Sequence, residues 1–201
     1  MKPNKRARAI FFTVLAVVVV LCTVVGIRNY QKSVGADLSE AEIAALRETY
    51  PVCGDDAKLS PLVDKWDPTW EEIKENCDTF VYATVDGERT KYESSYGFEK
   101  YEYPITVLED TQGYFEYGKQ MTISANIAFI EYNPDLKPGM KIIFPVSLKS
   151  EEESRLSFSV EGMYYVTDDE TVLSAFDEDK HAVKPKLTGK KLWMLMEDVK
   201  K

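Results

Sequence analysis

The chain has 201 residues, with 25 Lys or Arg against 34 Asp or Glu and a formal net charge of −9. The first 32 residues hold six of those bases and no acid, which leaves 19 bases against 34 acids in residues 33–201. So acidic a surface is repelled by nucleic acid and by anionic lipid headgroups and excludes nucleic-acid partners, while a hydrophobic content of 44% excludes a wholly disordered chain.

Residues 1–8 form a basic segment with Lys2, Lys5, Arg6 and Arg8. Ala9 to Ile27 follows as 19 residues without a charge. As a helix rising about 1.5 Å per residue this run reaches ~28 Å, close to the hydrocarbon thickness of a bilayer. Only Arg28 and Lys32 stand just beyond it. The asymmetry of bases predicts a single-pass transmembrane helix with a cytoplasmic N-terminus, so the lipid bilayer is a partner and everything after the helix is extracytoplasmic. The alternative is a cleaved secretory signal, for which Val34-Gly35-Ala36 offers small residues before Asp37. The run, however, exceeds the usual apolar core of about 7–15 residues. Lipid attachment at Cys22 is disfavoured, because Leu21 precedes it and Cys22 lies inside the run.

Residues 28–66 read as a linker and helical segment. Ser39 and Glu42 form a capping box, Ile43, Ala44 and Leu46 give an apolar stripe, and Pro51 stops the helix. Cys53 to Asp56 reads as a turn. Residues 67–201 are the expected extracytoplasmic domain. It opens on a helix with Asp67 as cap and Pro68 in its first turn.

From Thr79 the periodicity changes to two. Phe80 to Val85 reads as a strand ending at Asp86-Gly87. Tyr101, Tyr103, Ile105 and Val107 alternate with polar positions, with Pro104 marking an edge or bulge. Met121, Ile123, Ala125 and Ile127 form the cleanest alternation. Further strands are expected at Ile142 to Val146 and Leu156 to Val160. Met163 to Val166 and Thr171 to Phe176 read as a hairpin about Asp168-Asp169. A final helix from Thr188 places Leu192, Leu195, Met196 and Val199 on one face. Six or seven short strands with peripheral helices predict a mainly β fold, a small antiparallel barrel or sandwich.

The blocks Asp67 to Ile73, Thr79 to Val85, Tyr101 to Gly113, Gly118 to Ser124, Asp135 to Gly139 and Tyr164 to Val166 resemble small membrane-attached or lipoprotein domains of Gram-positive bacteria. The barrel of those domains is similar to the OB-like fold of netrin and tissue-inhibitor modules. The resemblance departs at Glu109-Asp110, where a Lys-Gly pair is expected, and at the absence of the netrin cysteine framework. It implies an OB-like barrel and a binding role, and carries over no active site.

His181 is the only histidine, and its charged surroundings predict an exposed loop residue rather than a catalytic base. No phosphate-cradling glycine loop, CxxC pair or metal-protease motif is present, so no cofactor or resident metal is expected. The acidic clusters at Glu151–Glu153, Asp168–Glu170 and Asp177–Asp179 lack the spacing of a calcium loop and read as solvated turns. Cys53 and Cys77 flank the second helix; they either form a disulfide in an oxidising compartment or stay as free thiols, and a bridge is worth ~3.5 kcal/mol in the chain-entropy model.

Aromatic density supplies the candidate site. Tyr101 and Tyr103 share the inward register, whereas Tyr96, Phe98, Tyr114 and Tyr117 lie beside glycines in connecting segments. These four either pack the ends of the fold or form an exposed platform. The surrounding Glu93, Glu99, Glu102, Glu109, Asp110 and Glu116 favour a neutral or basic ligand. The leading expectation is a membrane-tethered binding module for an envelope protein or glycan. The alternatives are a cell-envelope hydrolase using carboxylates and a structural subunit of a membrane complex.

Overall fold

The computed structural model describes residues 37–59, 67–94, 97–148 and 155–200. The transmembrane expectation for Ala9–Ile27 lies outside them, and among the described residues no helix is long and apolar enough to cross a membrane. Asp37–Lys201 form one compact unit.

Ser39 caps helix α1 (Glu40–Leu46) through the expected capping box, its backbone N–H donating to Glu42 Oε2 at 2.9 Å. The helix ends ahead of Pro51, at Arg47. It buries no residue fully and docks through Ile43, which lies over Gly189, while the Leu38 N–H donates to Gly189 O. Helix α2 (Trp70–Asn76) starts two residues later than its predicted cap: Thr69, not Asp67, closes a capping box with Glu72. Thr69 wins because its hydroxyl lies three residues before a Glu that can reach back, a reciprocity Asp67 lacks with Trp70.

Strands β1 (Thr79–Val85), β2 (Thr90–Glu93), β3 (Glu99–Asp110), β4 (Gln120–Asn126), β5 (Lys141–Val146), β6 (Arg155–Ser157), β7 (Tyr164–Val166) and β8 (Val172–Ser174) precede the final helix α3 (Leu192–Asp198). They make one eight-stranded sheet in the order β6-β4-β3-β1-β5-β7-β8, with β2 pairing β3 beyond the end of β1. The fold is mainly β, as expected, but the antiparallel OB-like barrel or sandwich is corrected on two counts. The end strands β6 and β8 do not pair, so the sheet is open. In addition, β6 runs parallel to β4, making the sheet mixed. A barrel closes only when its end strands share a ladder. Here the outer side of β8 is already taken, since Val172 exchanges backbone bonds with Gly189 and Lys190 and Arg47 Nη1 donates to Ser174 O at 2.7 Å.

Pro104 marks neither an edge nor a bulge. β3 lies inside the sheet, and the register shift falls where Tyr82 and Ala83 face Glu109 and Val107, which makes Leu108 the extra residue. Pro104 is tolerated because its carbonyl accepts from Asp86 N–H. In a strand the N–H and C=O of one residue point the same way, so the missing donor faces the corner where β1 has ended and β2 has not begun.

The core is built on alternation in β3, where Tyr101, Tyr103, Ile105 and Val107 are buried and Pro104 and Glu109 exposed. The two tyrosine hydroxyls are satisfied inside: Tyr101 OH accepts from Asn133 Nδ2 at 2.9 Å, and Tyr103 OH accepts from Leu136 N–H at 3.3 Å. Burial pushes Tyr103 up to about 12. At the other end of the sheet β7 and β8 are buried throughout. There Trp70 stacks on Phe176 and meets Phe80 and Tyr164 edge-on, with ring centroids 5.7 to 6.2 Å apart. Trp70 Nε1 donates to Asp198 Oδ2 at 2.7 Å, tying α2 to α3. The expected α3 face, Leu192, Leu195, Met196 and Val199, is buried.

Candidate functional site

Asp110 ends β3 and organises the turn that follows. Its Oδ1 accepts from Gln112 N–H at 3.0 Å and from the Thr79 hydroxyl, and its Oδ2 accepts from Phe115 N–H at 2.8 Å. Thr111 ties the same turn to β1, accepting from Phe80 N–H at 3.0 Å. Gly113 and Gly118 supply the left-handed conformations, at φ +77° and +79°. Gly118 N–H closes the hairpin on Val107 O at 2.8 Å. Phe115 packs against the core beneath Lys119, whose ammonium lies 5.3 Å from the ring centroid. The outcome is a pinned turn from which Tyr114 and Tyr117 project, 55% and 81% exposed.

Phe98 is also exposed, at 60%, but it precedes β3 whereas the tyrosine turn follows it. Twelve residues of strand lie between them, roughly 40 Å at about 3.3 Å per residue. Tyr114 and Tyr117 are therefore brought together and Phe98 is not. Tyr96 lies outside the described residues. Among the expected acidic neighbours, Glu102 pairs with Arg155 Nε at 3.0 Å and Asp110 is engaged in the turn's own hydrogen bonds, which leaves Glu109 and Glu116 flanking the tyrosines in sequence. The pattern Asp110-Thr111-Gln112-Gly113 was the available signal for the organiser, since an Asp two residues before a turn amide caps that turn.

The other sequence-selected residues are also placed. His181 is corrected from an exposed loop residue to a buried one, 3% exposed. Its Nδ1 donates to Pro68 O at 2.6 Å and its ring meets Phe176 edge-on at 5.2 Å. It latches the entry of α2, an anchoring that local charge density conceals. Two of the acidic clusters are more than solvated turns. Asp169 accepts from the Thr167 and Thr171 hydroxyls and from Lys191 Nζ; Glu178 is buried, with Oε1 accepting from Tyr164 OH and from Leu187 and Thr188 N–H. Glu151–Glu153 lie outside the described residues. Among those described, no group of three His, Cys, Asp or Glu is placed to hold a metal.

Cys53 and Cys77 are not joined to each other by a disulfide. Burial pushes the Cys53 thiol up, which lowers its thiolate fraction at neutral pH. Cys77 is buried and donates to Lys74 O at 3.5 Å. Beside it a cleft of ≈ 210 Å³ is bounded by Ile73, Pro145, Phe158 and Glu161. Glu161 already accepts on one oxygen from Tyr132 OH and on the other from Ser159 Oγ.

Compared with known proteins, the chain matches no family model and no curated protein.

Proposed function

We propose that this chain is a membrane-tethered, extracytoplasmic binding module that engages a protein or glycan of the cell envelope through Tyr114 and Tyr117. The observation that supports this reading is the exposure of two tyrosines on a turn whose backbone is pinned by Asp110 and Thr111. Large rings left in water on a rigid turn lose little entropy when a partner covers them. Each offers a flat apolar face and a hydroxyl, which suits the C–H faces and hydroxyls of a sugar chain. Glu109 and Glu116 beside them disfavour an anionic ligand. In this reading the apolar run Ala9–Ile27 anchors the module at the membrane surface, where envelope polymers lie within reach.

The test is co-sedimentation of the full-length protein with a purified insoluble envelope glycan. Changing Tyr114 and Tyr117 together to Ala is expected to weaken binding by about 10-fold or more, as loss of central aromatic anchors does. Both rings are in water, so the melting temperature should stay within about 2 °C of the parent. Unchanged sedimentation of the double variant rejects the reading; so does a variant that no longer folds, because the rings then belong to the core.

A further inference from the structure

A second constellation lies at the opposite end of the sheet, where α1 meets β8. Arg47, the C-cap of α1, fixes its guanidinium by donating from Nη1 to Tyr50 O at 3.1 Å and to Ser174 O at 2.7 Å. Its Nη2 reaches Ser174 Oγ at 3.4 Å. Thr188 Oγ1 donates to the same Ser174 Oγ at 2.8 Å, and Thr188 N–H donates to Glu178 Oε1 at 3.0 Å. Arg47, Ser174, Thr188 and Glu178 thus form one continuous polar strip, cationic at one end and anionic at the other. All four line a single cleft of ≈ 420 Å³, within the range that holds small ligands.

Two features separate this strip from an ordinary structural network. Glu178 is only 6% exposed, yet its three donors all converge on Oε1, and Oε2 accepts nothing from the described residues. Oε2 is not sealed from solvent, so it is the one oxygen of this largely buried carboxylate left open to a donor entering from the cleft. Arg47 is close enough to feel that charge, but among the described residues the two make no ion pair. The opposite charges face the same space without meeting across it. Ile43, Val52 and Phe176 supply an apolar side to the same cleft.

We infer that this cleft binds a free amino acid with an apolar side chain, its ammonium on Glu178 Oε2, its carboxylate on Arg47 and its side chain against Ile43, Val52 and Phe176. Ser174 and Thr188 span the distance between the two charged ends. Glu40 and Asp177 also line the cleft and reinforce the preference for an ammonium. Lys186, the other base there, is held by Asp179 at 2.6 Å, which leaves Arg47 as the anion's partner. The cleft and the Tyr114–Tyr117 turn share no residue, so the two readings stand or fall separately.

The experiment titrates the full-length chain with L-leucine, N-acetyl-L-leucine, L-leucine amide and glycine, followed by calorimetry and by the shift in melting temperature. L-leucine is expected to bind saturably. The acetylated form lacks the ammonium, the amide lacks the carboxylate and glycine lacks the side chain; each should bind about 10-fold or more weakly. Glu178→Gln keeps an acceptor for Tyr164, Leu187 and Thr188 while removing the charge, so it should bind L-leucine and N-acetyl-L-leucine alike. If that variant does not fold, the four ligands make the same comparison on the unaltered chain. The absence of a saturable response to L-leucine overturns the assignment, as does equal binding of leucine and its acetylated form to the parent.

Discussion

At the scale of single residues, carboxylates divide between those that hold the chain and those that face water, and local sequence does not sort them. Asp110, Asp169 and Glu178 sit in acidic runs that look alike on paper, yet each accepts several hydrogen bonds from distant or turn groups. Asp169 has a consequence for acid stability. The Thr167 hydroxyl, then Lys191 and the Thr171 hydroxyl, hold its carboxyl below the ordinary value of 3.8. A carboxyl depressed in the folded state contributes stability that is complete above its unfolded pKa, about 3.9, and is lost as pH falls through the folded value. Asp169→Asn is therefore expected to lower the melting temperature at about pH 6 and to converge on the parent towards about pH 3. A gap that stays constant over that range rules out the ionised carboxylate as the source.

At the scale of elements, legibility followed burial geometry. β3 and β4 were readable because one face is core and the other wet, which writes the period of two directly into the sequence. The hairpin of β7 and β8 was readable from its turn, and α1 from its capping box. β2 was not, since Thr90 to Glu93 is mostly exposed and follows only because β3 is long enough to pair twice. The parallel pairing of β6 with β4 was also hidden, because strand order is set by what the other strands leave unpaired. Of the candidate site, the exposed tyrosines were legible as aromatics beside glycines; their separation from Phe98 depends on the length of β3. Gly162 shows how tightly the elements fit. At φ +81°, a Cβ there would lie 2.9 Å from Ile73 Cγ2 and 3.0 Å from Pro145 Cγ, wedging α2 away from β5. Gly162→Ala is expected to destabilise the fold by about 1–3 kcal/mol, combining strain at positive φ with overpacking. Denaturant unfolding measures this directly, and a loss below about 0.5 kcal/mol means that the contact relaxes freely.

At the scale of the whole molecule, the reading rests on which side of a membrane the compact unit works. If Ala9–Ile27 is an uncleaved anchor, the mature protein fractionates with membranes, is released by detergent, and yields peptides from before Asp37 in mass spectrometry. A soluble product that begins at Asp37 selects the cleaved signal instead. That result would free the module from the membrane and leave the two candidate binding sites untouched.

The pairing pattern of β1 carries a consequence for how the chain matures. β1 is the first strand made, yet its ladders join Thr79 to Val146 and Val81 to Asp110. The outer edge of β8 waits for Gly189 and Lys190. β2, β3 and β4 pair as local hairpins, but β1 cannot complete both of its ladders until β5 has emerged. Such non-local topologies fold on the slow side, milliseconds to seconds, after the loop-closure entropy has been met. During synthesis, at roughly 5–20 residues per second, the edge of β1 that pairs with β5 stays open for several seconds before β5 arrives. That interval, rather than the finished fold, is when the chain is most exposed to holding chaperones and proteases.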